Sequence, residues 1–464
     1  MITYIIIAAV VLVIIIALIP KEEEKKDLSY QASFLDETEL LSRYNHGYCV
    51  NGTRCLTMGE SMKHVLITGA SGAFKSSGIL IPSILRMRGY CSFVINDPSG
   101  ELLERTSGAL LQTGYSVKVL NYNKPSEGYN PLSRVSSLSD IKKVSKLLIT
   151  AALGSGGKDP FWNASAEHLT TLCIQYILSH TTKEFHTLAN TYALASLILS
   201  SPEKSDKVFI KAKPAILNEY KTFIAYGSKT LASIVATVRT ALSIFSTDEH
   251  VALVTSHDSI SFEEFRTKKV ALFINNSITT MKYHSVTTSL LLDQIFEYIM
   301  GGFCDKNAYP VNFLLDEASS LSFNNLQITI ANLRKFSCSI LQAYQSTSQM
   351  VDLYSAPVAK AITENSYTRC YMPGQPLSVA LELEALIGKT EYRYEKNMKH
   401  VRSLITANEI HELNEALIFC GNHKAIKTPI TPYFKQFGLN RLSKISPYIP
   451  GNKIPFDTPP LIQF

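Results

Sequence analysis

The sequence is poor in the features that mark several common classes of protein. None of its eight cysteines forms a C-x-x-C pair, and its eleven histidines show no H-E-x-x-H spacing. These absences argue against a zinc site and a disulfide scaffold, and favour reduced thiols in a folded core. Internal repeats and low-complexity blocks are also lacking. The hydrophobic share of 46% is normal for a folded protein, so disorder is not a general property of the chain. The net charge of +6 is too small to identify an acidic partner. The length of 464 residues predicts about two or three domains.

The longest hydrophobic run, residues 2–19, lies at the start of the chain. As a helix it would extend about 27 Å, close to the thickness of a bilayer core. No basic segment precedes it, and basic residues follow from Lys21 onward, which favours a body on the cytoplasmic side. We expect an uncleaved single-pass transmembrane helix over residues 1–20, with a cleaved signal peptide as the alternative. Residues 21–45 are then a juxtamembrane linker.

The rest of the chain is organised around a glycine-bearing loop between a buried strand, His64 to Thr68, and a helical segment. This loop reads Gly69-Ala70-Ser71-Gly72-Ala73-Phe74-Lys75-Ser76-Ser77. The arrangement is that of a P-loop, in which backbone N–H groups face a polyphosphate. The alternative for the loop by itself is a chance match to a glycine-rich turn between a strand and a helix. Lys75 would neutralise the terminal phosphates, and the Ser76 hydroxyl would ligate Mg²⁺. Phe74 occupies a position where the pattern has glycine, which predicts backbone strain of roughly 1–3 kcal/mol.

Strands and helices alternate around this loop, which indicates a parallel sheet with right-handed crossovers. The predicted strands are His64–Thr68, Cys91–Asp97, Ser116–Leu120, Lys269–Ile274, Val311–Leu315 and Ser339–Tyr344. Between the third and fourth strands the strand signal disappears and apolar positions recur with helical spacing. We therefore expect a nucleotide-binding domain in two parts, residues 46–138 and 249–464. An inserted all-alpha domain, residues 139–248, would separate them, and the tail from about Pro429 would be extended.

A pair of acids, Asp316 and Glu317, follows the apolar strand that ends at Leu315. A P-loop NTPase needs such a pair as its second element. Asp316 would hold the hydration shell of Mg²⁺, and Glu317 would polarise the water that attacks the γ-phosphate. Acids at the end of a strand also commonly cap the next helix. The co-occurrence with the P-loop favours the NTPase interpretation, with ATP and Mg²⁺ as the cofactors.

Two further polar residues have candidate catalytic roles. Gln345 begins a polar run just after the next strand, where it could sense the γ-phosphate; the alternative is an exposed glutamine at a helix start. Arg334 lies in a helical segment after the acid pair and could act as an arginine finger across a subunit boundary. A solvated helix face explains a lone arginine equally well.

With these residues in place, the chain from about Gly59 to Tyr433 resembles a known family, the type IV secretion coupling proteins (TraG/TraD-like). These are membrane-anchored hexameric ATPases of conjugation. Motifs in the family's order carry the resemblance: the phosphate loop with Ile81-Pro82, Asp97-Pro98-Ser99-Gly100-Glu101-Leu102, Tyr129-Asn130-Pro131-Leu132, Asp159-Pro160-Phe161-Trp162 followed by Ala166, Leu315-Asp316-Glu317, and Gln345-Ser346-x-Ser348-Gln349. Phe74 and Ser99 depart from the family pattern.

The resemblance implies a RecA-like P-loop fold and an ATPase at the inner membrane, with its body in the cytoplasm. Such a protein recruits single-stranded DNA with a bound relaxase and pumps it to the channel of a type IV secretion system, as a homo-hexamer. Two alternatives remain. One is a docking platform that does not hydrolyse ATP, because Phe74 distorts the loop. The other is a translocase of double-stranded DNA.

Overall fold

The structure, a computed structural model, describes residues 31–153, 160–302, 307–323, 325–394, 398–451 and 459–463. The transmembrane helix predicted over residues 1–20 and the first part of the predicted linker lie outside these ranges. Among the described residues, no helix is both long enough and apolar enough to cross a bilayer. The membrane anchor therefore stays a prediction.

A central sheet organises the described residues. Its strands and those of a separate hairpin are, in chain order, β1 Val65–Thr68, β2 Ser92–Asn96, β3 Ser116–Leu120, β4 Val270–Ile274, β5 Val311–Leu315, β6 Cys338–Tyr344, β7 Thr368–Tyr371, β8 Lys389–Tyr394, β9 Met398–Ser403, β10 Ala416–Cys420 and β11 Ile426–Thr428. The nine-stranded sheet has the order β11-β10-β7-β1-β6-β5-β2-β4-β3. Neighbours from β7 to β3 are parallel, whereas β10 pairs antiparallel with β7 and β11. The hairpin consists of β8 and β9.

All the strands that the sequence predicts are present, with ends that differ by at most a residue. The expectation of a parallel sheet is confirmed for them but is wrong for one edge, where β10 and β11 run antiparallel. The short β7 and the hairpin were not predicted either. Apart from the edge strand β3, whose Ser116 is exposed, the strands that the sequence predicts are predominantly apolar and buried on both faces, and such burial makes a parallel strand recognisable. Strands at or near an edge, such as β11, alternate with exposed positions and give a weaker signal.

Helices cover the sheet and fill the long connection between β3 and β4. They are α1 Met58–Ser61, α2 Ile81–Met87, α3 Glu101–Gln112, α4 Leu138–Leu153, α5 Pro160–His180, α6 Leu188–Ser200, α7 Pro202–Phe209, α8 Pro214–Ile224, α9 Ser228–Leu242, α10 Ile244–Thr247, α11 Glu249–Ser256, α12 Glu264–Thr267, α13 Ser285–Gly301, α14 Leu326–Leu333, α15 Thr347–Tyr354, α16 Ala356–Asn365, α17 Leu377–Ile387, α18 Ala407–His411 and α19 Phe437–Ser443. We call α4 to α11 the helical block; within its described residues there is no strand.

The core has a layer on each face of the sheet. Successive strand residues point to opposite faces, so Leu66 and Val94 join the layer that continues into the helical block. Val65 and Phe93 join the other layer, which packs beneath α2 and α3. Both faces are therefore covered, as a parallel sheet requires. The carboxyl ends of β1 and β5 consequently open onto one edge, where the candidate site lies.

The segments at the two ends of the described chain pack on this body. In the second half of the predicted linker, the Leu35 N–H donates to the Ala425 carbonyl at 2.9 Å, and Glu37 pairs with Arg54 at 2.8 Å. In the tail, the expectation of an extended chain is wrong over α19. This helix forms because Leu439 packs into the core layer beneath α3, a tertiary contact that local proline content does not reveal.

Candidate nucleotide-binding site

The loop from Gly69 to Ser77 connects β1 to the following helix, as the sequence predicts. The Gly69 N–H donates to the carbonyl of Tyr344 at the end of β6, at 3.1 Å. Gly72 and Phe74 both adopt a left-handed backbone, with φ of 81° and 62°. Glycine accepts this conformation freely, whereas at Phe74 it costs about 1–3 kcal/mol. Phe74 is 48% exposed and lines the cleft beside the loop.

Lys75 is largely buried and points across the loop. Its Nζ donates to the carbonyl of Gly69 at 2.7 Å and to that of Ala70 at 3.1 Å. Burial lowers the pKa of the Lys75 ammonium, while the nearby carboxylates of Glu317 and Asp316 act in the opposite direction. The loop therefore holds a cation at its centre, where terminal phosphates would need one.

The helix after the loop begins with a wide π-type turn, Lys75–Leu80, in which the N–H of Ile81 donates to the carbonyl of Ser76. N–H groups at a helix start have no partner within the helix and are available to an anion. Gly78 is needed in this turn, because a Cβ there would come within 2.4 Å of Ile430 Cγ2. The first turn of this helix thus packs closely against the segment that follows β11.

The acid pair follows β5 and meets the loop in space. Ser76 Oγ donates to Asp316 Oδ2 at 2.9 Å, although 240 positions separate the two residues. Asn96, at the end of β2, exchanges hydrogen bonds with the Asp316 backbone and fixes its position. Burial raises the pKa of Asp316 to about 6, against the lowering effects of the Ser76 hydrogen bond and the Lys75 charge. A hydroxyl and a carboxylate in contact are suitable ligands for one Mg²⁺.

Glu317 is oriented by two hydrogen bonds to its carboxylate. Gln345 Nε2 donates to Glu317 Oε1 at 3.0 Å, and Ser319 Oγ donates to the same oxygen at 2.9 Å. The Glu317 backbone is left-handed, with φ 59°, a strained conformation of the kind that clusters at functional sites. Gln345 is therefore in direct contact with the acid whose role it would complement.

Asp97 lies at the end of β2 and shapes the same edge of the sheet. Its side chain accepts from the Leu103 N–H at 2.8 Å and from the Ser99 hydroxyl at 3.1 Å. Burial raises its pKa to about 6, and the neighbouring Asp316 carboxylate acts in the same direction. Asp97 thus anchors the start of α3, while Ser99, where the family pattern has lysine, faces the cleft.

These groups line one open cleft of about 560 Å³. Its lining residues are Ser71, Gly72, Phe74, Lys75, Ser76, Ser77, Pro98, Ser99, Glu101, Ile278, Met281, Asp316, Glu317, Gln345 and Phe434. Sequence reasoning missed Ile278, Met281 and Phe434 as cleft residues. Ile278 and Met281 follow β4, so their position at the same sheet edge was open to inference; no local pattern identifies Phe434.

Arg334 lies apart from this cleft. It begins the turn Arg334–Phe336 that precedes β6, whereas Gln345 follows the same strand. Arg334 is therefore at the opposite edge of the sheet, where its charge acts on the buried His64. Arg334 is not among the residues that line the cleft of its own chain, and its predicted role across a subunit boundary stays a prediction.

A mostly parallel sheet with a phosphate loop after β1, and with an acid pair after the non-adjacent strand β5, defines the class of RecA-like P-loop proteins. Within that class, a family model described as the type IV secretory system conjugative DNA transfer family matches residues 21–446. The chain belongs to this family, and the resemblance to the coupling proteins is confirmed.

Individual relatives agree with this assignment. The chain is 24% identical over 317 residues to a probable conjugal transfer protein TraG of Sinorhizobium fredii, which covers 65% of this chain and 48% of that protein. It is 22% identical over 380 residues to a protein VirD4 of Rhizobium radiobacter, with 78% and 53% covered. The chain thus spans about half the length of the curated relatives it matches.

Solved structures support the same fold. The plasmid coupling protein TrwB in complex with ADP and Mg²⁺ superposes with a TM-score of 0.70 and 17% sequence identity, over 89% of this chain and 96% of that chain. At this identity the likeness concerns the fold alone.

Proposed function

We propose that this chain is an ATPase of conjugative DNA transfer, which binds ATP with Mg²⁺ in the cleft and uses its hydrolysis to move single-stranded DNA. The hydrogen bond of 2.9 Å between Ser76 and Asp316 carries the proposal. It brings one oxygen of the phosphate loop and one oxygen of the acid pair close enough to bind the same metal ion. The relative TrwB, whose fold this chain shares, has been crystallised with ADP and Mg²⁺.

Each residue of the cleft then has a separate role. The N–H groups of the loop and of the first helical turn bind phosphate oxygens, and the Lys75 ammonium neutralises the terminal phosphates. Bound Mg²⁺ would neutralise charge that develops during phosphoryl transfer, and Ser76 with Asp316 would hold it. Glu317 orients the attacking water and accepts its proton. Gln345 holds the Glu317 carboxylate in place through the contact of 3.0 Å.

The wider assembly is part of the same proposal. Residues 1–20 would anchor the chain in the inner membrane with its body in the cytoplasm, and residues 21–45 would link the anchor to that body. Residues 46–138 and 249–464 form the nucleotide-binding domain, and residues 139–248 the all-alpha domain. The complete machinery would contain a ring of six copies of this chain, a relaxase bound to the DNA, and the channel of a type IV secretion system. In such a ring Arg334, exposed at the far edge of the sheet, would be supplied to a neighbouring cleft.

The test is ATP hydrolysis by the full chain in detergent, with and without single-stranded DNA. Lys75→Ala and Glu317→Gln should each lower the rate by about 100-fold or more, and Glu317→Gln should still bind a fluorescent ATP analogue. Lys204→Ala, on the exposed face of α7, is the matched control and should leave the rate unchanged. Full activity in both cleft variants would refute the catalytic assignment, and greater stimulation by double-stranded DNA would favour a duplex translocase.

A docking platform without hydrolysis is the second candidate, and the left-handed backbone at Phe74 favours it. A bulky residue at this position brings a ring to the edge of the phosphate site. If the wild-type chain binds ATP without turnover and Phe74→Gly gains turnover, the platform is the correct function. If both turn over ATP, the platform is excluded.

A further inference from the structure

A short segment near the end of the chain, Pro459–Gln463, lies on the helical block between α6 and α11. A single buried side chain, Asn190 in α6, hydrogen-bonds its backbone twice. Asn190 Nδ2 donates to the Pro460 carbonyl at 3.0 Å, and the Ile462 N–H donates to Asn190 Oδ1 at 2.9 Å. One amide thus pairs with a carbonyl and an N–H two residues apart, as a neighbouring strand would.

The orientation of this amide is set by the helical block itself. Asn190 has no exposed surface. Its Nδ2 is also within 3.0 Å of Thr187 Oγ1 and 3.1 Å of the Phe185 carbonyl. Thr187 caps the start of α6, so these partners belong to a rigid part of the block. The amide is therefore held in place by groups other than the segment that it binds.

Apolar contacts lie on both sides of the bound backbone. Pro459 is buried and borders a cavity of about 190 Å³ between α6, α10 and α11, which the 55% exposed Leu461 also lines at its mouth. Ile462 packs against the large core layer that continues through the helical block. The remaining lining of the cavity is Ala189, Phe245, Ser246, Glu249, His250, Ala252 and Leu253. The site thus combines backbone recognition with pockets for apolar side chains, as peptide-binding sites do.

We propose that Asn190 and the surfaces of α6, α10 and α11 form a binding site for an extended apolar peptide. Residues Pro459–Gln463 occupy it as a built-in ligand that a separate peptide can replace. Because the Asn190 amide contacts only backbone groups of the segment, the ligand class is set by an extended conformation and by apolar side chains at the positions of Pro459 and Ile462. The covalent connection to the rest of the chain raises the local concentration of the built-in ligand. A free peptide therefore binds well only after that segment is released.

The test is binding of a fluorescent peptide with the sequence of residues 452–464, followed by anisotropy with the full chain in detergent. The variant Ile462→Asp releases the built-in segment by placing a charge against the apolar core layer of the helical block. We expect the released chain to bind the peptide at least about tenfold more tightly than the wild-type chain.

Two altered peptides provide the specificity controls. A peptide with Ile462→Pro lacks the backbone N–H that donates to Asn190 Oδ1. It should bind about tenfold more weakly, because this buried acceptor is left unpaired. A peptide with Gln463→Ala changes an exposed side chain and should bind like the original. A full chain carrying only Ile462→Pro serves as a milder released variant, and circular dichroism of both chains checks that the helices are intact.

The proposal is overturned if neither released chain binds the peptide, or if Ile462→Pro in the peptide has no effect. Equal binding by the wild-type and released chains also overturns it, because the built-in segment would then not occupy the site. None of these measurements involves ATP, so their outcome is independent of the proposed motor function.

Discussion

The buried carboxylate of Asp316 gives the sharpest prediction for the candidate site. Burial holds its pKa at about 6, above the ordinary value of 3.8. The folded protein therefore keeps a proton on Asp316 that the unfolded chain has already lost between these two pH values. Stability of the nucleotide-free protein should fall as the pH rises through this window and then level off.

The size of the effect follows from the two pKa values. The difference between 3.8 and about 6 corresponds to at most about 3 kcal/mol, and partial access of solvent to the site reduces this. We expect Asp316→Asn, which removes the charge and keeps an acceptor for Ser76, to stabilise the nucleotide-free protein by about 1–3 kcal/mol near pH 7.5. Near pH 4 the variant and the wild type should be equally stable. Asp97, whose pKa the Asp316 charge helps to raise, shifts the result in the same direction.

The assay is urea unfolding of the full chain in detergent, followed by far-ultraviolet circular dichroism from pH 4 to 8. Asp352→Asn, an exposed position in α15, controls for the loss of one surface charge and should change little. Mg²⁺ with a non-hydrolysable ATP analogue at about 100 times its Kd should stabilise the wild type by about 2.7 kcal/mol. The Asn variant lacks the metal ligand and should gain much less, so the order of stability reverses. A variant that is less stable than the wild type without nucleotide at pH 7.5, or a difference independent of pH, would refute the reasoning.

The remaining predictions concern strain, positioning and packing. Phe74→Gly should be more stable than Phe74→Ala by about 1 kcal/mol in urea unfolding, because both remove the ring and only glycine relieves the left-handed backbone. Gln345→Ala should lower the rate of ATP hydrolysis by about tenfold with little change in nucleotide affinity, because Glu317 loses its hydrogen bond of 3.0 Å. Gly108→Ala should cost about 1–3 kcal/mol of stability, since a Cβ there would lie 2.3 Å from the Ser446 carbonyl.

Each of these predictions has a result that contradicts it. Equal stability of the two Phe74 variants would mean that the loop relaxes out of the left-handed conformation. A loss of nucleotide affinity in Gln345→Ala equal to the loss of rate would make Gln345 a binding residue only. For Gly108→Ala the control is Gly438→Ala in α19, where no atom lies within 4 Å of the added Cβ. If both alanine variants behave alike, the tail does not pack on α3 as described.

Part of the fold could be predicted from the sequence because its patterns lie within a few neighbouring residues. The strands that the sequence predicts are short, predominantly apolar runs bounded by turn residues, because burial on both faces favours apolar side chains at successive positions. β4, with all of its residues buried, is an example. The hairpin of β8 and β9 carries charged residues along both strands, so the apolar run that marks the central strands is missing. β7 mixes Thr368 and Arg369 with apolar neighbours and gave no signal for the same reason.

Part of the candidate site could also be predicted from the sequence. Two short patterns indicate the candidate chemistry, each within a few residues. One is a lysine and a serine after a glycine-bearing loop, and the other is a pair of acids after an apolar strand. Their contact could be inferred only through the rule that parallel strands present their carboxyl ends at one edge. That rule places Gln345 near Glu317 but says nothing of Phe434, which reaches the cleft from a tail segment distant in sequence.

The sequence by itself indicated the candidate chemistry of this protein: a glycine-bearing loop with a lysine and a serine, a carboxylate pair, a long helical segment between them, and membership of a family of conjugative DNA transfer proteins. The tertiary structure decided the contacts themselves and which other residues join or leave the site. Strand order brings Ser76 to Asp316 and leaves Arg334 at the far edge, and chain return brings Ile462 to Asn190. The physical reason is the separation along the chain over which each property is decided. Hydrogen-bonding capacity and backbone preference belong to single residues, whereas a contact between distant residues exists only after the whole core has packed.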